Sequence, residues 1–483
     1  MTMWVPDLSA LSGPRYRAIA AAIAADVEGG RLRPGTRLPT HRALAERLNV
    51  TVGTVTRGYA EAERNGLVSA RVGCGTFVEA PLPAEADGSS PTLGAQAFDA
   101  MYAPIYAIGD DGERLDLSLN YPHSAPLAPA LAAGLSGLMG PTNAGMLAAI
   151  GRYQPPAGMA AHREAAALWL GHGGIVADPD DILIVPGCQG GLLAIFMALA
   201  SPGETVLTEV LTWPGLRAAT APLGLKTQAV EMDADGLRPD AFEAACRRSR
   251  PRLLYTMANL HNPTCAVMPE ARRREIAAIA RAHDVFVVED DVYGFLLDDP
   301  PPPIRAFLPD LGIYVTSLSK SVAPGLRIGY LWAPPALRAR LTGAIRANVL
   351  MTSPVTAEIA RQLIVGGGAE MAAAAQRTQA RHRQQITGRI LEGLPFSSHP
   401  SAFHLWLRLP TGWRAQDFVA RLLDRGVAVT PGHAFAGDSG VTAADAHVRL
   451  CLCAIGNDAR FEHAVRVVAE VARGSAAPAL PVV

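Results

Sequence analysis

The sequence predicts two unlike folded parts: a small N-terminal winged helix-turn-helix and a larger α/β domain built on a mainly parallel sheet. Residues 12–80 contain three short helical patterns followed by a hairpin pattern. From about Leu115 onward, short β-branched runs alternate with helical stretches rich in alanine, leucine and arginine, which is typical of a parallel sheet. Residues 81–114 lack periodicity and are rich in Ala, Pro, Gly, Ser and acidic residues, which predicts a linker.

Length and composition exclude several classes of protein. The chain has 483 residues, 49% of them hydrophobic and 18% charged, with a formal net charge of −1, so it is neither disordered nor broadly polyanion-binding. No apolar run approaches the ~18 residues that span a bilayer. The N-terminal MTMWVPDLSA lacks a charged segment followed by an apolar one. We therefore expect a cytoplasmic protein.

The cysteines fit a reducing compartment. They are scattered, form no CxxC pair and have no histidine at zinc-ligand spacing, so we expect reduced thiols and no metal site. The cysteines are Cys74, Cys188, Cys246, Cys265, Cys451 and Cys453.

The N-terminal helices have recognisable ends. RYRAIAAAIAADVEGG predicts a first helix that stops at a glycine pair. We expect Thr40 to cap HRALAERLNV and Thr51 to cap VGTVTRGYAEAERNG, because a hydroxyl accepts from the free N–H groups of a helix start. Residues 67–78, LVSARVGCGTFV, form two strand-like runs around a glycine-rich turn and predict the wing.

Local charge supports a role for this segment in binding nucleic acid. Residues 12–78 contain ten arginines and five acidic residues, a balance of +5 that suits the neutralisation of phosphates. For any single arginine, a solvated basic face is the simpler interpretation. The residues that we expect at double-stranded DNA are Arg42, Thr51, Gly53, Thr54, Thr56 and Arg57 in the helices and Gly73 and Gly75 in the wing. The sequence leaves open which of them face DNA.

Polar residues follow the strand-like runs of the α/β domain. These runs are DILIVPG, ETVLTEV, RLLYTMANL, DVFVVEDD and IYVTSLS. Ligands in parallel sheets bind at the carboxyl ends of strands, so the site is expected there. PGCQGG places Cys188 and Gln189 at the start of an apolar helix, where backbone N–H groups can hold a phosphate. HNPT, DDVYG and SLSK follow three further strands.

Lysine usage singles out one of these strand ends. The chain has 43 lysines and arginines, yet only Lys226 and Lys320 are lysines. Arginine stays charged, whereas a buried lysine can lose its proton and attack a carbonyl. Lys226 lies in PLGLKTQAV with no chemical groups around it, and we expect a surface residue there. Lys320, in SLSKSVAPGLRIGY, is the candidate for amine chemistry.

In their order and spacing, NPT, EDDVYG and SLSKSVAPGLRIGY resemble the motifs of the fold-type I aminotransferases, which hold pyridoxal 5'-phosphate (PLP). LPTHRALAERLNVTVGTVTRGYAEAERNGLVSARVGCGTFV resembles the GntR-type winged helix. Nearly the whole chain is thus similar to the MocR subfamily of GntR regulators. The resemblance implies a DNA-binding domain over 1–80, an aminotransferase-like domain over 115–483 and a head-to-tail homodimer. Within the latter domain, a large subdomain is expected at about 160–345 and a small one at about 346–475.

The resemblance implies cofactor roles at the matching positions. Lys320 would form the Schiff base, and Asp290 would pair with the pyridinium nitrogen so that the ring stays an electron sink. Tyr293 and Asn262 would hydrogen-bond the phenolic oxygen. The phosphate would be bound by Ser317, Ser319, Arg327, Cys188 and Gln189, with Tyr153 reaching it from the neighbouring subunit.

Two residues are implied on the ligand side. Trp213 stands where the family usually has a tyrosine stacked on the pyridine ring, and Arg449 matches the arginine that binds a substrate carboxylate. In isolation, a core aromatic and a structural ion pair are the simpler interpretations, but their positions among the other motifs favour the ligand. Asp291 is the alternative ring partner. The three-residue spacing to Tyr293 favours Asp290, and Asp291 is expected to be a supporting or surface acid.

Three positions depart from the family pattern. Cys265 replaces the usual glycine of NPTG, so either this residue has a strained positive φ or the turn differs here. Cys188 stands where a small hydroxylated residue is frequent, although its backbone N–H remains available to phosphate. Val52 stands where many recognition helices have an arginine, so an operator preference does not transfer to this chain.

The motifs are consistent with functions of two classes. The first is a transcriptional regulator in which transaldimination at Lys320 senses an amino acid or amine and repositions two winged helices on DNA. The second is an active aminotransferase with a minor DNA-binding role, since Lys320, Asp290 and Arg449 supply the groups of the half-reaction. A weaker third hypothesis is a sensor of PLP itself, without an amine ligand.

Overall fold

The structure is a computed structural model that describes residues 4–6, 15–28, 31–32, 36, 38–64, 67–71, 75–78, 115–123, 127–140, 144–437 and 444–474. The chain divides into two compact units, Met1–Ser90 and Pro91–Val483. The predicted linker 81–114, the predicted DNA contact Gly73 and the thiol of Cys74 lie outside the described residues.

The described part of the N-terminal unit consists of three helices and a hairpin. The helices are Arg15–Glu28, His41–Leu48 and Val52–Arg64, and the antiparallel strands are Val68–Arg71 and Gly75–Val78. Thr40 Oγ1 accepts from Ala43 N at 3.3 Å, and Thr51 Oγ1 accepts from Thr54 N at 3.2 Å. The predicted winged helix-turn-helix is therefore confirmed, with both predicted caps in place.

Tertiary packing holds these short helices together. Ile19, Leu44 and Val55 come from the three different helices and are fully buried against one another. Burial of each such side chain contributes about 1.5–3 kcal/mol, which helices of this length need because they are marginal in isolation. The buried Tyr59 adds a hydrogen bond from its hydroxyl to the Pro39 carbonyl at 3.0 Å.

The second unit contains a seven-stranded sheet. In spatial order its strands are Ile182–Val185, Gly329–Trp332, Gly312–Ser317, Phe286–Asp290, Leu253–Thr256, Thr205–Glu209 and Lys226–Val230. Gly329–Trp332 runs antiparallel to both of its neighbours, and the other pairs are parallel. The predicted mainly parallel sheet is confirmed.

Helices cover both faces of this sheet. They are Leu127–Leu138, Ala144–Ile150, Ala160–His172, Gly187–Leu199, Gly215–Thr220, Pro239–Ser249, Glu270–Ala282, Ile304–Phe307, Arg338–Val349 and Pro354–Val365. Successive residues of one strand belong to different cores: Leu253 packs in the cluster of Leu192, and Leu254 in the cluster of Phe242 and Ile276. Because both faces are buried, the strands are continuous apolar runs in the sequence.

A smaller sheet forms the C-terminal part of the unit. Its strands, in spatial order, are Phe396–Ser397, His404–Arg408, His447–Cys451 and Thr430–Pro431, with helices Gly368–Ile390, Ala415–Leu423 and Asp458–Arg473 beside them. The two-residue strand Leu115–Asp116 pairs in parallel with Val427–Ala428. The first described residues of this unit therefore pair with a strand that lies more than three hundred positions later in the chain.

Neither a membrane-spanning helix nor a metal-binding cluster occurs among the described residues. No helix among them is long and apolar enough to cross a membrane. Within the same ranges, no group of three or more His, Cys, Asp or Glu residues could hold a metal ion. The cysteines in the described part of the chain are free and buried.

Candidate functional site

A cavity of about 660 Å³ lies where the central parallel strands end. We call it the strand-end cavity. Its lining contains the predicted cofactor and ligand residues Lys320, Asp290, Tyr293, Asn262, Cys188, Gln189, Trp213, Ser317, Ser319, Arg327 and Arg449. Tyr153 does not line it, and this residue is 84% exposed. The fold thus brings together side chains that are widely separated in the sequence.

Lys320 follows the strand Gly312–Ser317, and its amine faces a polar environment. Lys320 Nζ donates a hydrogen bond to the Asn120 carbonyl. Burial, with smaller contributions from the positive charges of Arg449 and Arg327, lowers the pKa of Lys320 from 10.5 to about 8. About a tenth of this amine is therefore unprotonated at pH 7, far more than for an ordinary lysine, and the unprotonated form is the nucleophile.

Asp290 is the last residue of its strand, and one of its carboxylate oxygens has no partner among the described residues. Asp290 Oδ2 accepts from the Tyr255 hydroxyl at 2.8 Å. Its other oxygen, Oδ1, is buried and has no hydrogen-bond partner among the described residues. Burial, reinforced by the neighbouring Asp291, raises the pKa of Asp290 to about 7. This buried acceptor is suited to a cationic N–H, which would stabilise its charged form.

Asp291 is fully engaged and therefore differs from Asp290. Its Oδ2 accepts from Asn259 Nδ2 at 2.8 Å and from the Tyr314 hydroxyl at 2.9 Å. Its Oδ1 accepts from the Gly294 N–H at 2.6 Å. Asp291 is buried, which excludes the surface acid that was one expectation for it. Of the two carboxylates, only Asp290 has an oxygen to offer a ligand in the strand-end cavity.

The start of the helix Gly187–Leu199 forms a cradle for an anion. Pro186 precedes this helix and provides no side-chain cap, so its first N–H groups are available. Gly187 has a φ of +76°, and a Cβ built there would lie 2.5 Å from Arg327 Nη2, so the guanidinium sits directly against this turn. Burial raises the pKa of Cys188, which keeps the thiol neutral beside an anion.

Arg449 is a buried cation with neutral partners. It is 3% exposed. Its Nη1 donates to Asn262 Oδ1 at 3.0 Å, and its Nη2 donates to the Ser118 carbonyl at 2.5 Å and to Thr430 Oγ1 at 3.2 Å. Its Nε has no partner within the described part of the chain. Since a buried charge is costly without a counter-ion, this position is suited to a carboxylate from a ligand.

Two local backbone features lie close in sequence to residues that line the strand-end cavity. A Cβ at Gly215 would lie 2.1 Å from the Trp213 ring, so this glycine makes room for the indole. Cys265 has a φ of +64°, which resolves the expectation for NPTC: the turn keeps its left-handed residue although glycine is absent. The Cys265 thiol donates to the His404 carbonyl at 3.1 Å, which holds this strained position.

Three residues near the cofactor position were missed by the sequence reasoning. Tyr255 binds Asp290, Asn120 donates to the Tyr293 hydroxyl at 2.7 Å, and His404 lies 3.2 Å from Asn120 Nδ2. Tyr255 looks like an ordinary core aromatic of a strand. Asn120 in LSLNYP and His404 in AFHLW carry no local motif, and only their long-range contacts reveal them.

In the N-terminal unit, most of the predicted DNA contacts are exposed. Arg42, Thr51, Gly53, Thr56 and Arg57 are exposed and Thr54 is half-buried, while only the backbone of Gly75 is described. The Arg57 guanidinium lies 4.9 Å from the centre of the Tyr16 ring, and Thr56 Oγ1 donates to the Val52 carbonyl at 3.0 Å. The recognition helix thus presents Thr56 and Arg57 to solvent, and its cap presents Thr51.

This architecture is that of known aminotransferases. The α-aminoadipate aminotransferase LysN from Thermus thermophilus, solved with N-(5'-phosphopyridoxyl)-L-leucine, is similar to this chain with a TM-score of 0.67 and 23% identity, over 78% of this chain and 96% of that one. An archaeal alanine:glyoxylate aminotransferase has a TM-score of 0.69 at 22% identity, over 80% and 96%.

Sequence comparison identifies both parts of the chain. Residues 114–468 match the class I and II aminotransferases, and residues 15–78 match the gntR family of bacterial regulatory proteins. The HTH-type transcriptional regulator TauR of Rhodobacter capsulatus is 32% identical over 84% of this chain and 86% of its own. The HTH-type regulator YdeF of Bacillus subtilis is 29% identical over 93% of both. The chain belongs to the class I and II aminotransferase family and, within it, to the MocR-type HTH regulators.

The aminotransferase domain implies PLP as the cofactor, and the residues present fit it. The unpartnered Asp290 Oδ1 suits a pyridinium N–H, the uncapped helix start with Arg327 suits the phosphate, and Lys320 suits the aldehyde carbon. When bound, the cofactor supplies an electron sink for an amine substrate.

Proposed function

We propose that this regulator senses an amino acid or related amine in the strand-end cavity, through exchange of amines at Lys320, and thereby changes how its winged helix binds DNA. One observation carries the proposal. The same cavity contains a lysine whose pKa is lowered to about 8 and a buried arginine whose described partners are neutral. These two groups match the two ends of an amino acid.

The ligand class follows from charge and space. A ligand carboxylate would give Arg449 the anionic partner that its described neighbours do not supply, in a charge-assisted and potentially bidentate contact. The ligand's amino group would replace Lys320 on the cofactor. A cavity of about 660 Å³ is within the range that holds a cofactor with a small ligand. A carboxylated amine is therefore the ligand that we propose.

The residues around the cavity suggest how ligand exchange reaches the rest of the chain. Lys320 donates to the Asn120 carbonyl and Arg449 to the Ser118 carbonyl, so both cations hold the segment 115–123. This segment directly follows the predicted linker in sequence. A ligand that replaces Lys320 on the cofactor would release the Lys320 amine to donate to this segment, and its carboxylate would draw Arg449 away from the Ser118 carbonyl. Such competition gives the two states different interactions, which any ligand-driven switch requires.

A head-to-tail homodimer is part of the proposal. Tyr153 is 84% exposed and Met139 71%, and Leu135 on the neighbouring helix is also exposed. Large exposed apolar side chains such as these occur at interaction surfaces, and we propose that they belong to the dimer surface. A second copy on this surface would bury them, and Tyr153 of one copy would then contact the phosphate held by the other.

An active aminotransferase is the second candidate, and a specific observation favours it. Lys320, Asp290 with its free oxygen, and Arg449 supply the base, the ring partner and the carboxylate clamp of a half-reaction. The 2-aminoadipate transaminase of Thermus thermophilus is 27% identical over 60% of this chain and 74% of its own. The two candidates differ in whether the bound amine is retained or converted.

The visible absorption spectrum of the full-length protein with PLP, titrated with amino acids and amines, tests the proposal. A band that borohydride bleaches is expected in the wild type and absent in Lys320→Ala. Lys226→Ala is the matched control, because the other lysine is exposed on an edge strand and should leave the band unchanged.

The response to amines separates the two candidates. A regulator predicts one amine that shifts the band and holds it there. Conversion to pyridoxamine 5'-phosphate with release of a keto acid would instead establish the transaminase. A wild-type protein without a bleachable band would refute both.

A further inference from the structure

A chain of hydrogen bonds leads from a backbone carbonyl to the hydroxyl of Tyr293. His404 Nε2 lies 3.2 Å from the His261 carbonyl oxygen, and His404 Nδ1 lies 3.2 Å from Asn120 Nδ2. Asn120 Nδ2 in turn lies 2.7 Å from the Tyr293 oxygen. We call this chain the Asn120 relay. Its members come from four separate parts of the sequence, and two of them, Asn120 and Tyr293, line the strand-end cavity.

The positions of the protons in the Asn120 relay follow from its first member, the His261 carbonyl. A carbonyl oxygen only accepts, so His404 Nε2 must carry the ring proton. Burial lowers the pKa of His404 to about 3, with the charge of Arg449 contributing, so the ring is neutral at physiological pH. A neutral ring that is protonated on Nε2 has a lone pair on Nδ1. His404 Nδ1 is therefore an acceptor.

This acceptor fixes the orientation of the Asn120 amide. With the opposite orientation, Asn120 Oδ1 would face the lone pair of His404 Nδ1, and two acceptors would meet. The NH₂ group must therefore point to His404. The same group has a second hydrogen, which it donates to the Tyr293 oxygen at 2.7 Å. In this arrangement Asn120 Oδ1 has no partner among the residues that the structure describes.

We propose that Asn120 and His404 are positioning residues that set the direction of the Tyr293 proton. The Tyr293 oxygen accepts from Asn120, so its own hydrogen cannot be donated to Asn120 and is directed to another acceptor. In the cofactor-loaded protein that acceptor would be the phenolic oxygen of PLP. This inference rests on the proposed function, because it concerns the cofactor that Lys320 would hold.

The Asn120 relay has a measurable consequence. A hydrogen bond donated to the phenolic oxygen favours its anionic form, and this lowers the pH at which the cofactor-bound nitrogen of Lys320 titrates. Accepting a hydrogen bond from Asn120 makes the Tyr293 hydroxyl a stronger donor, because hydrogen bonds in a chain polarise one another. The Asn120 relay thus keeps this nitrogen in its unprotonated form at lower pH.

A double-mutant cycle on the holoprotein tests this inference, with the pH midpoint of the visible band as the readout. Asn120→Asp replaces the NH₂ donor by an acceptor of the same shape, so the Tyr293 proton turns towards the new carboxylate. We expect the midpoint to rise by about one unit or more. The added negative charge raises the midpoint on its own, so the same change is also made in the Tyr293→Phe background, where only the charge effect remains.

The change in pH midpoint in the two backgrounds shows whether Asn120 acts through Tyr293. The Asn120 relay predicts a larger rise in the Tyr293 protein than in the Tyr293→Phe background. Equal rises in both would overturn the inference and leave the proposed function intact. Asn120→Leu is the uncharged second variant, used if Asn120→Asp does not fold. Its smaller rise should vanish in the Tyr293→Phe background, and a rise that persists there would also overturn the inference.

Discussion

Asp290 and Asp291 are neighbours in sequence but belong to two different polar regions. Asp290 belongs to the strand-end cavity, and its Oδ1 has no partner among the described residues. Asp291 belongs to a second region, the Arg273 network, which consists of Arg273, Glu289, Asn259 and Asp291. In this network Asp291 uses both carboxylate oxygens.

The Arg273 network is complete. Arg273 is fully buried, and its Nη1 lies 3.1 Å from Glu289 Oε1. Its Nη2 donates to Asn259 Oδ1 at 2.5 Å and its Nε to the Met268 carbonyl at 2.9 Å. Asn259 Nδ2 then donates to Asp291 Oδ2 at 2.8 Å. Every nitrogen of the buried guanidinium therefore has an acceptor.

The comparison separates a structural use of buried charge from a binding use. A buried polar network that is fully paired rigidifies the fold, and breaking it is costly. Buried polar atoms without partners lower stability, and each needs an explanation. In the strand-end cavity, Asp290 Oδ1 and Arg449 Nε are such atoms, and they match the groups of a cofactor and its ligand. Unlike the side chains of the Arg273 network, these two residues therefore keep atoms that a ligand could engage.

The largest expected effect concerns the Arg273 network. Arg273→Leu would leave Glu289 and Asn259 without their buried partner, and we expect the free energy of unfolding to fall by about 3–5 kcal/mol. Chemical denaturation of the apoprotein measures it. Arg274→Leu is the matched control, because the adjacent arginine is exposed and pairs with Glu270 on the helix surface. That exposed pair contributes at most about 1 kcal/mol. Equal losses for the two variants would contradict a structural role for the network.

The next effect distinguishes the two aspartates. Asp290→Asn removes a charged hydrogen-bond acceptor from the cofactor, and we expect PLP affinity to fall by about 1.5–3 kcal/mol. The apoprotein should not be destabilised, since an incompletely paired buried carboxylate is removed. Asp291→Asn should show the reverse pattern, a destabilised apoprotein, because Asp291 accepts three hydrogen bonds. PLP titration and chemical denaturation of both variants measure the two patterns. If the two variants behave alike, the proposed difference between Asp290 and Asp291 is wrong.

A smaller effect appears in the pH dependence of cofactor attachment. Only the neutral amine of Lys320 attacks, and its pKa is lowered to about 8, chiefly by burial. Below this pKa the neutral fraction falls about tenfold per pH unit, or about 1.4 kcal/mol. The rate of band formation should therefore rise with pH and level off near pH 8, in the wild type and in Lys226→Ala alike. A rate that keeps rising towards the ordinary lysine value of 10.5 would contradict the lowered pKa.

Local sequence signals predicted the two folds and most of the lining of the cavity. Polar groups directly after apolar runs predicted which residues meet at the strand ends, because parallel strands end at the same edge of the sheet. Lys320 was singled out because it is one of only two lysines in a chain that otherwise uses arginine. The Thr40 and Thr51 caps followed from hydroxyl chemistry at helix starts, and both are present.

Long-range contacts could not be predicted in this way. Asn120 lies 173 positions from Tyr293 and 284 from His404, and no local periodicity encodes such a meeting. The strand Leu115–Asp116 was missed for the same reason, since two residues show no alternation and its partner is Val427–Ala428. Asp290 keeps an unpartnered oxygen and Asp291 does not, and this difference depends on the positions of Tyr255 and Asn259, which only the folded chain defines.

The most direct test of the regulator proposal is the DNA affinity of the full-length, PLP-loaded protein with and without the amine that holds the absorption band. The DNA is a fragment that the protein selects from a random-sequence pool, and affinity is read by fluorescence anisotropy at fixed salt. We predict that the amine changes affinity by about fivefold or more in the wild type and in Lys226→Ala, and not in Lys320→Ala. An affinity that follows PLP occupancy alone, or that no amine alters, would contradict amine sensing at Lys320.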